Sequence, residues 1–364
     1  MLTRRGFVGT LATGCAGAVL ASRAVVAAPA SGTVLLNANE YPAGPPPESL
    51  AAITRTLNET NRYHFEEFFS FHSTLGASLN LKADNILVGA GSTEVLHSAI
   101  DAFVTPTRPY IMTWPSYEEG LRLVAAKGYP TVKVPLTSDY SADVERLARE
   151  AARSGGGLIY ICNPNNPTSS ITRSQEIRWL AEHLPPETYL LVDEAYIHFA
   201  EPQQVESAVA LVREGRNVIV ARTFSKLYGM AGLRVGFVAA PAELIARITP
   251  YRSNVISIIG LRAAQAALSL GPRLIAERRA AIARTRSNLC RWCRDKRLKY
   301  IEPHANFMMI ETGRDVREVI TALTAKGVVP GRPFLPYDKM VRITIGADRD
   351  MEKFKSAFGE LLSV

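Results

Sequence analysis

Histidine and cysteine are scarce in this chain, six and four among 364 residues. The histidines are scattered, no two stand at a metal-sharing spacing, and no acids gather beside them, so no metal centre is expected. Cysteine is too sparse for a disulfide framework: past residue 30 only Cys162, Cys290 and Cys293 remain, an odd number. The last two fall one turn apart on a helical pattern, where packing accounts for them. Internal repeats are absent, and so is any apolar run of membrane-spanning quality, because Arg23 interrupts the one candidate, residues 6–22, and small residues dominate it. Against these absences stands a hydrophobic content of 47%, enough for a large core and incompatible with disorder.

The first thirty residues read apart from the rest. "TRRGFVG" places Arg4 and Arg5 before a weakly apolar stretch that ends in the small residues of "VVAAPAS". It resembles a twin-arginine export signal, a receptor-read address, with an ordinary secretory signal as the alternative. The implied location of the mature protein is the periplasm. Removing residues 1–30 takes away three arginines and no acid, so the net charge drops from +8 to +5, too modest to imply nucleic acid. The most basic stretch, residues 272–297, reads as a long solvated helix with Ile275, Ile282, Leu289 and Cys293 on its apolar face.

Between residues 84 and 240 short apolar runs alternate with longer amphipathic ones: "NILVG" then "STEVLHSAIDAF", "PYIMT" then "YEEGLRLVAAKG", "GLIYI" then "RSQEIRWLAEHL", followed by "TYLLVD" and "NVIVA". This predicts an α/β fold, a mostly parallel sheet covered by helices on both faces. Ligands of such sheets collect at the carboxyl ends of the strands, which singles out the polar residues after each run. From 241 to 297 the pattern is helical, and "NFMMIET", "GVVPGRPF" and "VRITIG" then predict a smaller α/β portion. The expected organisation is a signal at 1–30, an arm at 31–47 that runs over the surface toward a site, a large domain at 48–250, and linking helices with a small domain at 251–364.

The chemistry-bearing residues follow those strands. In "TFSKLYGMAGLRVGF", Lys226 is a lone amine in an apolar loop, and burial beside a cation lowers such a pKa and makes the amine nucleophilic toward an aldehyde. Asp193 ends the "TYLLVD" strand, where a buried carboxylate needs a positive partner such as a protonated pyridine nitrogen. Asn166, in "CNPNNPTSS", is placed to donate to an oxygen on the same ring. "GAGSTEVL" is a glycine turn with Ser92 and Thr93 at a helix start, a phosphate-favouring arrangement that lacks the third glycine of a dinucleotide fingerprint, since Glu94 stands there. Thr223, Ser225 and Arg234 complete the same anion site, and Tyr117 can stack on a ring.

The ordered set "LNANEYPAGP", "GAGSTE", "PSY", "NPNNPT", "VDEAY", "TFSK…GLRVGF" and "VRITIG" resembles the fold type I pyridoxal-phosphate aminotransferases, most closely the histidinol-phosphate aminotransferase group, over residues 33–360. The resemblance implies pyridoxal 5'-phosphate as cofactor and a role for each matching position. Lys226 corresponds to the lysine that bonds to the cofactor and shuttles a proton, and Asp193 to the partner of its ring nitrogen. Asn166 and Tyr196 correspond to the groups on its 3-oxygen. Ser92, Thr93, Thr223, Ser225 and Arg234 form its phosphate cup, and Tyr63 is similar to a tyrosine that reaches the neighbouring subunit's cofactor. A homodimer with shared sites follows. Arg342 corresponds to the arginine that clamps the substrate's anionic group, with Arg332, Tyr41 and Asn306 beside it on the substrate side.

Ser169 stands where the family usually has glycine, an expected difference in that loop. Tyr41 and the aromatic run of Phe65, Phe68 and Phe69 also depart from the family and are candidates for an aromatic side-chain pocket. The implied reaction is ping-pong transamination between an amino acid or amino phosphate and a 2-oxo acid. The alternatives are an aromatic amino acid aminotransferase and a decarboxylase resembling the threonine-phosphate decarboxylases.

Overall fold

The computed structural model describes residues 32–253 and 255–362; the export signal expected at residues 1–30 lies outside them. From Val34 onward the chain packs as one compact unit. At its centre are seven strands: β2 (Ile86–Gly89), β3 (Tyr110–Trp114), β4 (Thr131–Pro135), β5 (Gly157–Cys162), β6 (Thr188–Asp193), β7 (Val218–Thr223) and β8 (Gly236–Ala239), in the order β2-β8-β7-β6-β5-β3-β4. β8 runs antiparallel to both neighbours and the other pairs are parallel.

The parallel strands are apolar without interruption because both faces are covered. Side chains alternate across the sheet, so Ile159, Leu190, Val192, Val218 and Val220 pack under the helices Val144–Arg153, Ser174–Glu182 and Val209–Arg213. Tyr110, Met112, Leu158, Tyr160, Leu191 and Ile219 point the other way, toward Val95, Ala99 and Phe103 of helix Gly91–Phe103. Asp193 shares the parity of Leu191, which aims its carboxylate at that second side.

Beyond β8 come the helices Ala242–Ile248, Ile258–Ser269 and Gly271–Asp295, then the antiparallel pair β9 (Phe307–Glu311) and β11 (Met340–Thr344), which aligns Arg342 with Met309. Helix Val316–Ala325 leads into β10 (Val328–Pro330), and helix Asp348–Leu362 closes the described chain. β10 pairs in parallel with β1 (Val34–Leu36). The arm is therefore not wholly a surface segment: its first residues are a strand, Leu36 is buried, and the pairing fixes where residues 37–40 emerge.

The buried face of the long helix is Leu274, Arg278, Ile282, Thr285, Leu289, Cys290 and Cys293, with Ile275 only partly covered. Arg278 is the departure from the expected apolar stripe. Its Nη1 donates to the Leu227 carbonyl at 2.9 Å and its guanidinium lies 4.4 Å from the Tyr41 ring, so the buried cation has partners. Cys162, Cys290 and Cys293 are buried free thiols. Among the described residues no helix is long and apolar enough to cross a membrane.

Candidate active site

The carboxyl ends of β2, β3, β5, β6 and β7 open on one cavity of about 650 Å³, walled on its far side by residues 37–40, Pro330, Arg332, Phe334 and Arg342. Lys226 stands on the loop after β7, and its Nζ donates to the Ala38 carbonyl at 2.9 Å. Burial, with Arg342 and Arg234 nearby, lowers its pKa to about 8, while Glu40 and Asp193 act in the opposite direction. About a tenth of the amine is therefore neutral and nucleophilic at pH 7, far more than for an ordinary lysine.

Asp193 is 2% exposed. Burial raises its carboxyl to about 6 against hydrogen bonds from the Tyr160 hydroxyl to Oδ2, 3.0 Å, and from the Ala195 amide to Oδ1, 3.1 Å. A carboxylate in that position gains from any cation brought to it. Tyr196 is buried against Phe307, with its hydroxyl accepting from Asn39 Nδ2 at 3.1 Å and Asn166 Nδ2 at 3.5 Å. Burial also pushes the Tyr196 and Tyr117 hydroxyls upward, so both remain protonated donors.

Hydroxyls and backbone amides converge at the other end. Ser92 and Thr93 open helix Gly91–Phe103, Thr223 Oγ1 donates to Ser225 Oγ at 2.9 Å, and Arg234 Nη1 donates to the same Ser225 oxygen at 3.3 Å. Gly91 has φ +79°, and a Cβ there would come within 2.2 Å of Arg234 Nη2, so only glycine lets the arginine lie across the helix start. Glu94, at the place of the missing third glycine, accepts from the Ser253 amide at 2.8 Å and from the Ala90 amide, which ties the turn down. Helix dipole, amides, hydroxyls and guanidinium form a donor set suited to a phosphate dianion. Together with an amine and a carboxylate deeper in the cavity, the set fits a phosphorylated pyridine aldehyde.

On the substrate side the structure separates the expected residues. Arg342 is buried on β11, donating from Nη1 to Asn166 Oδ1 at 2.7 Å and from Nη2 to the Asn37 carbonyl at 2.6 Å. Burial and Arg332 lower its pKa to about 10, leaving it a cation at neutral pH. Arg332 lies at the mouth, 48% exposed at its side chain. Tyr41 is not in the cavity wall but packs under Arg278 beside an adjoining recess. Asn306 lies behind the wall, where its Nδ2 donates to the Asn39 carbonyl at 3.0 Å and holds the arm. Phe68 is core, and Phe65 and Phe69 are exposed, so these rings do not line the cavity. Tyr63 is 71% exposed and stacks on Phe65, away from the cavity of its own protomer.

Ser169 gives a local reason for the glycine of relatives, since it has φ +61°. Here the side chain adds contacts: Oγ accepts from the Ala305 amide at 2.8 Å and the His304 amide at 3.2 Å, joining the Asn166 loop to the segment that carries Asn306. Sequence reasoning missed Asn39, Glu40, Glu118 and Tyr160. Asn39 had a signal, its place in the segment expected to reach the site, whereas Tyr160 looked like an ordinary inward-facing strand residue.

A parallel sheet that collects an amine, a buried acid and a phosphate-type cradle at its strand ends defines a group-transfer enzyme working on a bound cofactor. The family profile "Aminotransferase class I and II" matches residues 31–361. The chain belongs to that family and is a pyridoxal-phosphate-dependent aminotransferase. It is 31% identical to the histidinol-phosphate aminotransferase of Moorella thermoacetica, over 91% of this chain and 86% of that one. It is 30% identical to the aromatic amino acid aminotransferase of Cutibacterium acnes, over 90% and 92%. Among solved structures, histidinol-phosphate aminotransferase from Sinorhizobium meliloti in complex with pyridoxal-5'-phosphate superposes with a TM-score of 0.84 at 29% identity, covering 91% of each chain.

Proposed function

We propose that this aminotransferase works by a ping-pong exchange of an amino group between an amino donor and a 2-oxo acid, with Lys226 as its covalent and proton-transferring residue. The observation that carries the reading is the amine of Lys226 in one cavity with the Asp193 carboxylate and the cradle of Ser92, Thr93, Thr223, Ser225 and Arg234. When bound, pyridoxal phosphate supplies an aldehyde that condenses with amines and a ring that withdraws electrons from the donor's Cα. Asp193 would hold the positive charge on the ring nitrogen. Asn166 and Tyr196 would donate to the ring oxygen, and Tyr117 would cover a ring face. Lys226 Nζ is the base that would carry a proton between the donor's Cα and the cofactor's carbonyl carbon, two atoms away. Arg342 fixes the donor's anionic group, a carboxylate or a phosphate, and the arm at 37–40 keeps water from the reacting side.

The relatives named for histidinol phosphate and for aromatic amino acids bracket the donor class. Stepwise spectroscopy tests the reading. A productive donor added alone is expected to bleach the visible band, and 2-oxoglutarate added afterwards to restore it with nitrogen transferred to glutamate; a band that bleaches only when both substrates are present together contradicts the ping-pong order.

Two further parts belong to the same proposal. The exposed rings of Tyr63, Phe65, Phe69 and Tyr251 support a homodimer in which Tyr63 reaches the partner's phosphate cup, and sedimentation at the mass of one protomer counts against it. Residues 1–30 act as a twin-arginine signal and deliver the folded, cofactor-loaded enzyme to the periplasm. Retention of the full-length chain in the cytoplasm counts against that.

A further inference from the structure

Asp193 has to be ionised to hold a positive charge on a cofactor ring, yet burial works against its charge and no cation touches it. Among the described residues its carboxylate has two hydrogen-bond donors, both neutral: the Ala195 amide and the Tyr160 hydroxyl. The amide belongs to the backbone after β6 and is there whatever the side chains are. The hydroxyl depends on one residue.

Tyr160 lies on β5 opposite Leu191, two residues before Cys162, the register partner of Asp193. Alternation puts it on the same face as the carboxylate, and its ring reaches diagonally to bring the hydroxyl oxygen within 3.0 Å of Oδ2. It is 2% exposed and does not line the cavity. A phenylalanine would fill the same space, and a hydroxyl this deep is unfavourable unless bonded. Burial and the Asp193 charge drive the phenol's pKa far upward, so it is a donor at every working pH.

The other groups around Asp193 do not replace it. Cys162, beside it on β5, is kept a thiol by burial and donates to the Pro164 carbonyl at 3.3 Å. Glu194, next along the chain, is paired with Arg222 at 2.9 Å, and Lys226 acts on Asp193 only at longer range. Tyr117 and Tyr196 remain protonated and make no hydrogen bond to the carboxylate. Tyr110 on β3 packs its ring 5.8 Å from that of Tyr160, but its hydroxyl lies against Gly120, where a Cβ would come within 2.6 Å, and has no hydrogen-bond partner among the described residues.

We propose that Tyr160 is a positioning residue of the reaction: through Oδ2 it orients the Asp193 carboxylate and keeps it charged for the cofactor's ring nitrogen. The inference rests on the aminotransferase reading and adds to it a residue outside the cavity wall.

Tyr160→Phe and Tyr110→Phe each remove one buried hydroxyl from the same packed pair of rings, and the proposal separates them. In cofactor-stripped protein with isotopically labelled aspartate carboxyls, the NMR resonance missing from Asp193→Asn identifies Asp193, whose wild-type midpoint lies at about 6. Tyr160→Phe is expected to raise that midpoint by about one pH unit. Placing 3-fluorotyrosine at position 160, a stronger donor of nearly the same shape, lowers it, and Tyr110→Phe leaves it in place. In the loaded enzyme Tyr160→Phe is expected to lower kcat about tenfold with the donor's KM within about twofold, and Tyr110→Phe to change neither. The visible band of each variant reports that it is folded and loaded. A midpoint that stays put in Tyr160→Phe and with 3-fluorotyrosine, or an equal loss of kcat in the two phenylalanine variants, overturns the inference while the aminotransferase reading stands. A wild type that never acquires the band removes both.

Discussion

Replacing Lys226 with alanine is expected to lower turnover by about 10⁴-fold or more and to leave the purified protein without the visible absorbance of a lysine-bound aldehyde. The size follows from two losses at once, the covalent anchor and the proton carrier, both served by one Nζ. Burial puts that amine's pKa at about 8. Its neutral form is the nucleophile, so uptake of pyridoxal phosphate by stripped wild-type protein should accelerate as pH rises toward about 8 and level off above it. Stopped-flow absorbance reads this directly. An alanine variant that is coloured and active refutes the assignment, and a rate that falls across this range refutes the environment given to the amine.

Asp193→Asn is expected to lower turnover roughly 10²- to 10³-fold, because an amide cannot hold the charge on the ring nitrogen. Its effect on stability has the opposite sign. Burial raises the carboxyl to about 6 from the ordinary 3.8, so the folded chain keeps this proton more tightly than the unfolded chain does. The group's contribution to stability is therefore most favourable below the unfolded value and is lost as pH rises through the folded one. Two units correspond to about 3 kcal/mol. Stripped of cofactor, the asparagine variant should be more stable than the wild type by up to about that amount at pH 8 and nearly equal to it at pH 4. Urea unfolding at the two pH values checks this, and a less stable variant at pH 8 contradicts the burial argument.

The sequence made the sheet legible where both of its faces are buried, because "LIYI", "LLV" and "VIV" can hardly be anything but covered strands. β4 was less visible, since its Lys133 points outward over Trp114 at the sheet edge and breaks the apolar run. The reversed direction of β8 was not visible at all: four residues of "GFVA" carry no sign of polarity. Site residues that directly follow strands could be named because topology alone brings strand ends together. Asn39 lay in the segment expected to reach the site, but which of its residues faces the cavity was not legible, because the partner that fixes its backbone, Thr344 Oγ1 at 3.0 Å, is 305 residues away. The aromatic run at 65–69 misled for a related reason. Helical periodicity sends Phe68 and Phe71 into a core shared with Phe224 and Phe237, and leaves Phe65 and Phe69 outside.

Arg342 already spends both terminal nitrogens on Asn166 and Asn37. An arriving carboxylate therefore does not meet a waiting fork; it swaps places with an amide oxygen and a peptide oxygen, and only the surplus of charged over neutral acceptors drives the swap. The exchange also unhooks the side chain of Asn166, whose nitrogen faces Tyr196, so occupancy at one end of the cavity is felt at the ring-oxygen end through a single shared amide.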